Sequence, residues 1–173
     1  MVKYGIISDT HFTSETNSES LDLIFKQIRS IFRNVDAIIH AGDISNKKFL
    51  DKLNSIVPTK AIRGESDNIE ELPHYLEINA GKYRIGVIHK RPSDLEAFFR
   101  EKNLNILIFG HTHQPLIVGT SYNTLLINPG SPTLPKAPSE KHGFNKPIPR
   151  PSVITMNIDE NNILSTYIIN LKV

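Results

Sequence analysis

Short apolar runs that end in polar residues dominate the first half of the chain. Three of them read as strands, at Val2–Ser8, Asp36–His40 and Ile56–Ile62. Between them apolar residues recur every three or four positions, which predicts amphipathic helices over Leu21–Phe32 and Asn46–Leu53. This β-α-β-α-β order favours a parallel sheet.

Hairpins dominate the second half. Three pairs of runs indicate antiparallel strands, namely Tyr75–Ile78 with Lys82–Ile88, Leu116–Val118 with Thr124–Ile127, and Val153–Asn157 with Ile163–Ile169. A third helix is predicted from Pro92, and Ile106–Phe109, apolar throughout, reads as a strand buried on both faces. Two mixed sheets packed together, with helices outside, would satisfy both halves of this α/β chain.

Two stretches read as loops. Thr13–Ser20 is polar, and Pro129–Pro151 holds seven prolines among few aliphatic residues, which predicts a long, partly stiff surface loop. No internal repeat or linker divides the chain. Its 173 residues fit one domain over 1–173 with a sizeable core.

Composition narrows the function classes. A net charge of +2 gives no strong signal for nucleic acid or an anionic membrane. The chain has no cysteine, which excludes thiolate metal sites, cysteine nucleophiles and disulfides. The sequence shows no apolar signal segment and no membrane span, so a cytoplasmic location is expected. The hairpins and the proline-rich loop offer surface for a homo-oligomer.

Side chains of the metal-ligand type follow the ends of five predicted strands: Asp9, His11, Asp43, Glu65, His89, His111 and His113. Ligands of open α/β sheets bind beyond the carboxyl ends of the strands. Three carboxylates and four histidines suffice for two metals with one bridging carboxylate. Nitrogen and oxygen donors without thiolate suit manganese, iron, zinc, cobalt or nickel. If the chain stays extended there, His111 and His113 project together because they are two residues apart.

Each of these residues also has an ordinary structural reading. His89 alone is a polar residue that finishes a strand, and Glu65 alone is a solvated loop residue. Asp9 and Asp43 could each cap the helix that follows. Their joint occurrence at strand ends is what favours a metal site.

As an ordered set the motifs resemble the calcineurin-like metallophosphoesterases. The motifs are Asp9-x-His11, Gly42-Asp43, the Gly64–Asp67 turn, a strand closing on His89, and Gly110-His111-x-His113. The short length and the Asn128–Ser131 stretch resemble the compact bacterial and archaeal phosphodiesterase branch, and the retromer subunit Vps29 is similar in fold. The resemblance implies a four-layer α/β/β/α sandwich with a dinuclear site.

The resemblance also assigns roles by position. One divalent metal, with manganese expected first, would take Asp9, His11, Asp43 and His113. The other would take Asp43, Glu65, His89 and His111, so that Asp43 bridges the two. All of these except Glu65 are also the expected catalytic residues, and His40 is a candidate to orient a ligand from behind.

Four positions depart from the pattern of the family. Glu65 stands where asparagine is usual, and Ser66 stands where many members carry a general-acid histidine. After His89, the compact branch usually continues with Gly-His, whereas this chain has Lys90-Arg91. Both cations are candidates to bind substrate oxygens.

Two function classes follow. The leading hypothesis is a phosphoesterase that hydrolyses small phosphodiesters, or activated phosphate esters, with a metal-bridging hydroxide. The alternative is a non-catalytic protein-binding scaffold of the Vps29 type with a degenerate site. A nuclease is disfavoured by the near-neutral charge and the lack of a basic, aromatic stripe. His74 and His142 lie outside the motifs and are expected to be dispensable for turnover.

Overall fold

The computed structural model describes residues 1–12 and 18–172, which form ten strands and three helices. The strands are β1 Val2–Ile7, β2 Ala37–His40, β3 Thr59–Ala61, β4 Tyr75–Ala80, β5 Tyr83–Ile88, β6 Ile106–Phe109, β7 Pro115–Gly119, β8 Leu125–Pro129, β9 Ser152–Ile158 and β10 Leu164–Asn170. The helices are α1 Ser18–Phe32, α2 Lys47–Asn54 and α3 Leu95–Lys102. None of these helices is long and apolar enough to cross a membrane.

The strands form two five-stranded mixed sheets, as expected from the sequence. The first has the order β10-β9-β1-β2-β3, with β1, β2 and β3 parallel and β9 and β10 antiparallel. The second has the order β4-β5-β6-β8-β7, with β5, β6 and β8 parallel and β4 and β7 antiparallel. The parallel strands of each sheet therefore send their carboxyl ends in one direction.

Successive residues of the central strands enter different hydrophobic layers. Ile6 joins the core between the two sheets, whereas Ile7 packs with α1 and α2 on the outer face of the first sheet. Likewise Ile108 faces the inter-sheet core, and Leu107 packs under α3 on the outer face of the second sheet. A strand covered on both faces needs no polar alternation, which explains the apolar runs. The layers confirm the α/β/β/α sandwich.

Most boundaries lie within two residues of the sequence prediction, and three element starts differ from it by three residues. Helix α1 begins at Ser18, inside the expected loop, of which residues 13–17 lie outside the described part of the chain. Strand β3 is limited to Thr59–Ala61, because the preceding Ile56 and Val57 pack with the helices. Helix α3 begins at Leu95 instead of Pro92, since the Asp94 side chain caps it by accepting from the Ala97 N–H (2.9 Å).

Candidate metal centre

The carboxyl ends of the parallel strands of both sheets meet at one edge, and the seven ligand-type residues come together there. Five of them hold a left-handed backbone, which is rare outside glycine: Asp9 (φ 52°), His11 (φ 42°), Asp43 (φ 55°), His111 (φ 69°) and His113 (φ 59°). Residues held in this region cluster at functional sites. The tight turns aim consecutive side chains in directions that an extended chain does not allow.

The first group of donors consists of Asp9, His11 and His113, whose ligand atoms all lie within 4.8 Å of one another. Nε2 of His11 and Nε2 of His113 are 3.3 Å apart. Nε2 of His113 is 3.5 Å from Oδ1 of Asp9, a carboxylate with no exposed side-chain surface. These three donors come from the ends of β1 and β6, one strand from each sheet.

The second group consists of Glu65, His89 and His111, again within 4.8 Å. Nδ1 of His111 is 3.2 Å from Oε2 of Glu65. His89 is 4 % exposed, whereas the side chain of Glu65 is 59 % exposed. The sequence-based argument that His111 and His113 project together is therefore wrong, because the turn sends them into different groups.

Asp43 lies between the two groups. Its Oδ2 is 3.4 Å from Nε2 of His11 on one side and 3.4 Å from Nε2 of His89 on the other. A third set of donors, Asp9, Asp43 and His89, links the groups directly. Neither aspartate caps a helix as the alternative reading proposed, since α2 is capped by Asn46 and α1 begins only at Ser18.

Backbone groups hold the ligand atoms in place. The His111 N–H donates to both carboxylate oxygens of Asp9 (3.0 Å each), and the Ser66 N–H donates to Oδ1 of Asp43 (2.9 Å). Nδ1 of His89 is 2.8 Å from the Ala41 carbonyl oxygen, and a carbonyl can only accept. This Nδ1 therefore carries the proton in the neutral ring, which leaves the Nε2 lone pair facing the site.

The proline-rich loop fixes the proton position of His113 in the same way. The Leu134 carbonyl oxygen accepts from Nδ1 of His113 (2.7 Å), so the Nε2 lone pair of His113 also faces inward. The loop is irregular, as predicted, but part of it builds the site.

The electrostatics of these residues follow from burial and from one another. Burial raises the pKa of Asp9 despite the nearby imidazoles. Burial also lowers the pKa of His11. For Asp43, burial opposes ionisation, but the neighbouring His89 imidazole and the hydrogen bond from the Ser66 N–H outweigh it and lower the pKa. Burial tends to lower the pKa of His89, but Asp43 and the Ala41 carbonyl outweigh it and raise the pKa. A bound cation would compensate the buried carboxylates and favour neutral imidazoles.

Two observations show that these residues fit divalent cations. Nε2 of His89 is fully buried and has no hydrogen-bond partner among the described residues. Such an atom is costly unless something coordinates it. In addition, metal bonds of about 2.1 Å in tetrahedral geometry place neighbouring donors about 3.4 Å apart. The contacts within the site run from 3.2 to 3.5 Å.

Asn128 and Ser131 support the site from behind. The Asn128–Ser131 stretch contributes to the family resemblance, but the sequence did not indicate this structural role. Nδ2 of Asn128 donates to the Gly110 carbonyl oxygen (2.9 Å) and to the Thr112 hydroxyl (3.0 Å). The Ser131 hydroxyl donates to the Asp9 carbonyl oxygen (2.6 Å). Both therefore fix the turns that carry Asp9 and His111.

Asp67 anchors the turn that carries Glu65. It is 2 % exposed, and its carboxylate accepts from the Gly64 N–H (2.8 Å) and the Ser45 N–H (2.6 Å). These bonds connect the turn to the loop that carries Asp43. The Gly64–Asp67 motif predicted the turn but not this connection.

The remaining candidates lie around the site. His40 is fully buried behind it, with Nε2 3.1 Å from the Thr10 hydroxyl. Nζ of Lys90 is 3.5 Å from Oε1 of Glu65, whereas the Arg91 guanidinium lies 6.0 Å from the centre of the Phe109 ring. His142 is exposed in the proline-rich loop. His74, in contrast, lines a cleft together with Glu65, His89 and Lys90.

Comparison with known proteins agrees with this architecture. The model of the calcineurin-like phosphoesterase superfamily domain matches residues 2–145. A probable metallophosphoesterase of Methanocaldococcus jannaschii is 36 % identical over 141 residues, which cover 78 % of this chain and 70 % of the relative. A probable metallophosphoesterase of Methanothermobacter thermautotrophicus is 32 % identical over 163 residues, or 90 % and 85 % of the two chains.

Solved structures share the fold at lower identity. A novel archaeal phosphodiesterase matches with a TM-score of 0.66 and 21 % identity, covering 97 % of this chain and 100 % of its own. Wild-type Vps29 of Entamoeba histolytica in complex with zinc matches with a TM-score of 0.68 and 18 % identity, covering 99 % and 100 %. Because its family model covers most of the chain, this protein belongs to the calcineurin-like phosphoesterase superfamily.

Proposed function

We propose that this chain is a phosphodiesterase that hydrolyses small phosphodiesters or activated phosphate esters with two divalent metal ions. The observation that carries the proposal is the position of Asp43, whose Oδ2 is 3.4 Å from one histidine of each donor group. One carboxylate oxygen shared by two sets of donors supports a dinuclear arrangement with Asp43 as the bridge. Manganese is our first choice among the metals that take nitrogen and oxygen donors.

Each of the two ions would have its own set of ligands, with Asp43 shared. Asp9, His11, Asp43 and His113 would hold one ion, and Asp43, Glu65, His89 and His111 the other. Two such ions activate a water molecule and neutralise charge on the phosphoryl oxygens. The carbonyls of Ala41 and Leu134 keep the imidazole lone pairs directed inward, so the site is organised before substrate arrives.

The preference for diesters rests on Ser66. Its N–H is used by Asp43, and its hydroxyl is a poor acid, so this position cannot supply the proton that an alkoxide leaving group needs. Substrates with good leaving groups therefore suit the site, and we expect aryl diesters to react faster than alkyl esters.

A scaffold of the Vps29 type is the second candidate. The likeness to Vps29 structures favours it, and so does Glu65, which is largely exposed and paired with Lys90. Since the E. histolytica Vps29 was crystallised with zinc, metal binding alone does not separate the two functions.

The test is a substrate panel with manganese. It contains bis(p-nitrophenyl) phosphate, p-nitrophenyl phosphate and ethyl p-nitrophenyl phosphate, assayed with the wild type and with Asp9→Asn. We expect turnover of the diesters that Asp9→Asn abolishes. Wild-type rates no higher than those of Asp9→Asn on all three substrates would favour the scaffold.

A further inference from the structure

Strand β10, Leu164–Asn170, is an open edge of the first sheet and, with seven residues, the longest of the four edge strands in the described part of the chain. The other three edges carry features that discourage pairing with a further strand. Strand β3 has only three residues, β4 contains Glu77, and β7 begins at Pro115. No charged residue or proline lies between Glu160 and Lys172, so β10 lacks this protection.

The backbone groups on the outer side of β10 are available for pairing. At one end of the strand the Asp159 N–H donates to the Ile163 carbonyl oxygen (3.1 Å). At the other end the Leu171 N–H donates to the Pro151 carbonyl oxygen (2.8 Å). Because the bonds of an antiparallel ladder alternate along the strand, the odd-numbered residues between these ends face β9. The N–H and carbonyl groups that point away from the sheet, and to which no other described residue bonds, are those of Leu164, Thr166, Ile168 and Asn170.

The chain covers this row of groups at its far end. Nε2 of Gln27 donates to the Lys172 carbonyl oxygen (2.7 Å), and the Lys172 N–H donates to Oε1 of Gln27 (2.8 Å). The side-chain amide of Gln27 therefore takes the place of a neighbouring strand at that residue. The outward-facing residues before Lys172 keep alternating donors and acceptors, which is the template that a further strand requires.

Apolar side chains are exposed along the same edge. Tyr167 is 63 % exposed and Ile168 is 39 % exposed, and Ile163, just before the strand, is 64 % exposed. Successive residues of the strand face opposite sides of the sheet, since Leu164 packs against the core between the sheets and Ile169 against the outer layer. A strand added to this edge would therefore cover apolar surface on both faces, and aromatic or β-branched cross-strand pairs stabilise such an arrangement.

We infer that β10 pairs with β10 of a second copy of this chain, antiparallel and across a two-fold axis at Tyr167. This register pairs all seven residues of the strand. Thr166 lies opposite Ile168 of the second copy, so outward-facing backbone groups meet outward-facing groups. Tyr167 lies opposite itself, and no like charges oppose each other. Two-fold dimers are the commonest oligomers, because one self-complementary surface is sufficient to form them.

The size of this edge is compatible with a specific dimer. Seven residues extend over about 24 Å, and two sheets about 10 Å apart with side chains on their outer faces give the edge a depth of roughly 20 Å. Each copy therefore presents roughly 500 Å², or about 1,000 Å² for the pair, which reaches the lower limit for a biological interface. We therefore expect a dimer that dissociates on dilution.

The experiment is sedimentation velocity of the full chain from about 1 to 200 µM, a range that brackets a weak dimer. The wild type should change from monomer to dimer with concentration. Tyr167→Lys places like charges directly opposite each other and should raise the dissociation constant on the order of 100-fold or more. Tyr167→Glu should have the same effect, whereas an equimolar mixture of the two variants should form a 1:1 dimer. Phe144→Lys, which changes a side chain that is 79 % exposed in the proline-rich loop, is the matched control and should behave as the wild type.

A crosslink tests the register. The chain has no cysteine, so Tyr167→Cys introduces a single thiol. Residues opposite each other in a non-hydrogen-bonded pair have Cα atoms about 4.5 Å apart, which is within the range that a disulfide spans. Mild oxidation should therefore convert Tyr167→Cys to a covalent dimer under conditions that leave Phe144→Cys mainly monomeric.

A wild type that stays monomeric over the whole range would overturn the inference, and it would do so even if β10 accepted a strand of a different protein. A dimer that withstands Tyr167→Lys and does not crosslink through Tyr167→Cys would also overturn it, because the interface would then lie elsewhere. If the mixture of Tyr167→Lys and Tyr167→Glu, both folded by circular dichroism, formed no dimer, the pairing of Tyr167 with itself would be refuted. None of these measurements depends on turnover, so the inference stands or fails separately from the proposed function.

Discussion

Nε2 of His11 and Nε2 of His113 lie 3.3 Å apart, although the two residues are 102 positions apart in the sequence. The Leu134 carbonyl fixes the proton of His113 on Nδ1, so the Nε2 lone pair of His113 faces His11. The close approach joins β1 of the first sheet to the turn after β6 of the second. The site therefore depends on the two sheets packing in one register.

Asp43→Ala should lower the content of both metals. The reason is that Oδ2 of Asp43 lies between the two donor groups. Metal per chain is measured by mass spectrometry after dialysis, with Asp51→Asn, a change of an exposed aspartate on α2, as the control. Full metal content in Asp43→Ala would refute its role as a bridge.

Glu65→Asn should raise phosphodiester turnover near neutral pH and weaken retention of one metal. A carboxylate at this position reduces the positive charge of the centre, so bound water loses a proton less readily and the wild type should have an alkaline optimum. A carboxylate also holds a cation more firmly than an amide does. Glu65→Gln is the matched control for side-chain length. pH–rate profiles with metal titration measure both effects. Identical profiles and metal affinities in the wild type and both variants would show that Glu65 is a loop residue and not a metal ligand.

How much of this site the sequence could predict depends on the residue. The apolar runs of β1, β2 and β6 and the polar residues after them were enough to place Asp9, Asp43 and His111 at one sheet edge. The left-handed backbone at these residues was not predictable, because none of them is glycine and the turns are held by long-range contacts. For that reason the expectation of an extended chain at His111 and His113 failed.

The contacts that the proline-rich loop makes with the site could not be predicted from the sequence either. Its composition predicted an irregular segment, and that is correct, but no local pattern indicates that the Leu134 carbonyl would meet His113. The cleft lined by Arg63 and His74 has the same origin, since it forms between the turn after β3 and the end of β5. The start of α3 at Leu95 follows from the Asp94 cap, which apolar periodicity does not indicate.

His40 should make the protein less stable in mild acid. Burial lowers its pKa from 6.5 to about 3. Between these values the unfolded chain binds a proton on His40 that the folded chain does not. The free energy of unfolding therefore falls as pH falls through this window, by up to about 1.4 kcal/mol per pH unit.

The measurement is urea unfolding of the metal-free protein from pH 7 to pH 4. His40→Gln should show a shallower pH dependence than the wild type. His142→Gln, which changes an exposed histidine, should retain the wild-type slope. If His40→Gln also retained the wild-type dependence of the free energy of unfolding on pH, this would show that the folded protein accepts a proton on His40 in this pH range.

Gly110→Ala should disturb the metal centre. A Cβ at this position would collide with the Ser8 hydroxyl and lie 2.8 Å from Oδ2 of Asp9 and 3.1 Å from the Ala41 carbonyl oxygen. Overpacking of this kind costs roughly 1–3 kcal/mol of stability, and here it should also displace Asp9 and reduce metal content. At Gly119 the nearest atom to an added Cβ is 4.0 Å away, so Gly119→Ala is the matched control. Equal stability and metal content in the two variants would contradict the tight packing at Gly110.

The most direct test of the proposed dinuclear phosphodiesterase activity is the turnover of bis(p-nitrophenyl) phosphate as a function of manganese bound per chain. We expect turnover to rise with metal and to saturate at two ions per chain, and we expect Asp43→Ala to bind less of both ions and to lack the activity. A wild type that binds manganese and yet hydrolyses the diester no faster than Asp43→Ala would refute the proposed function.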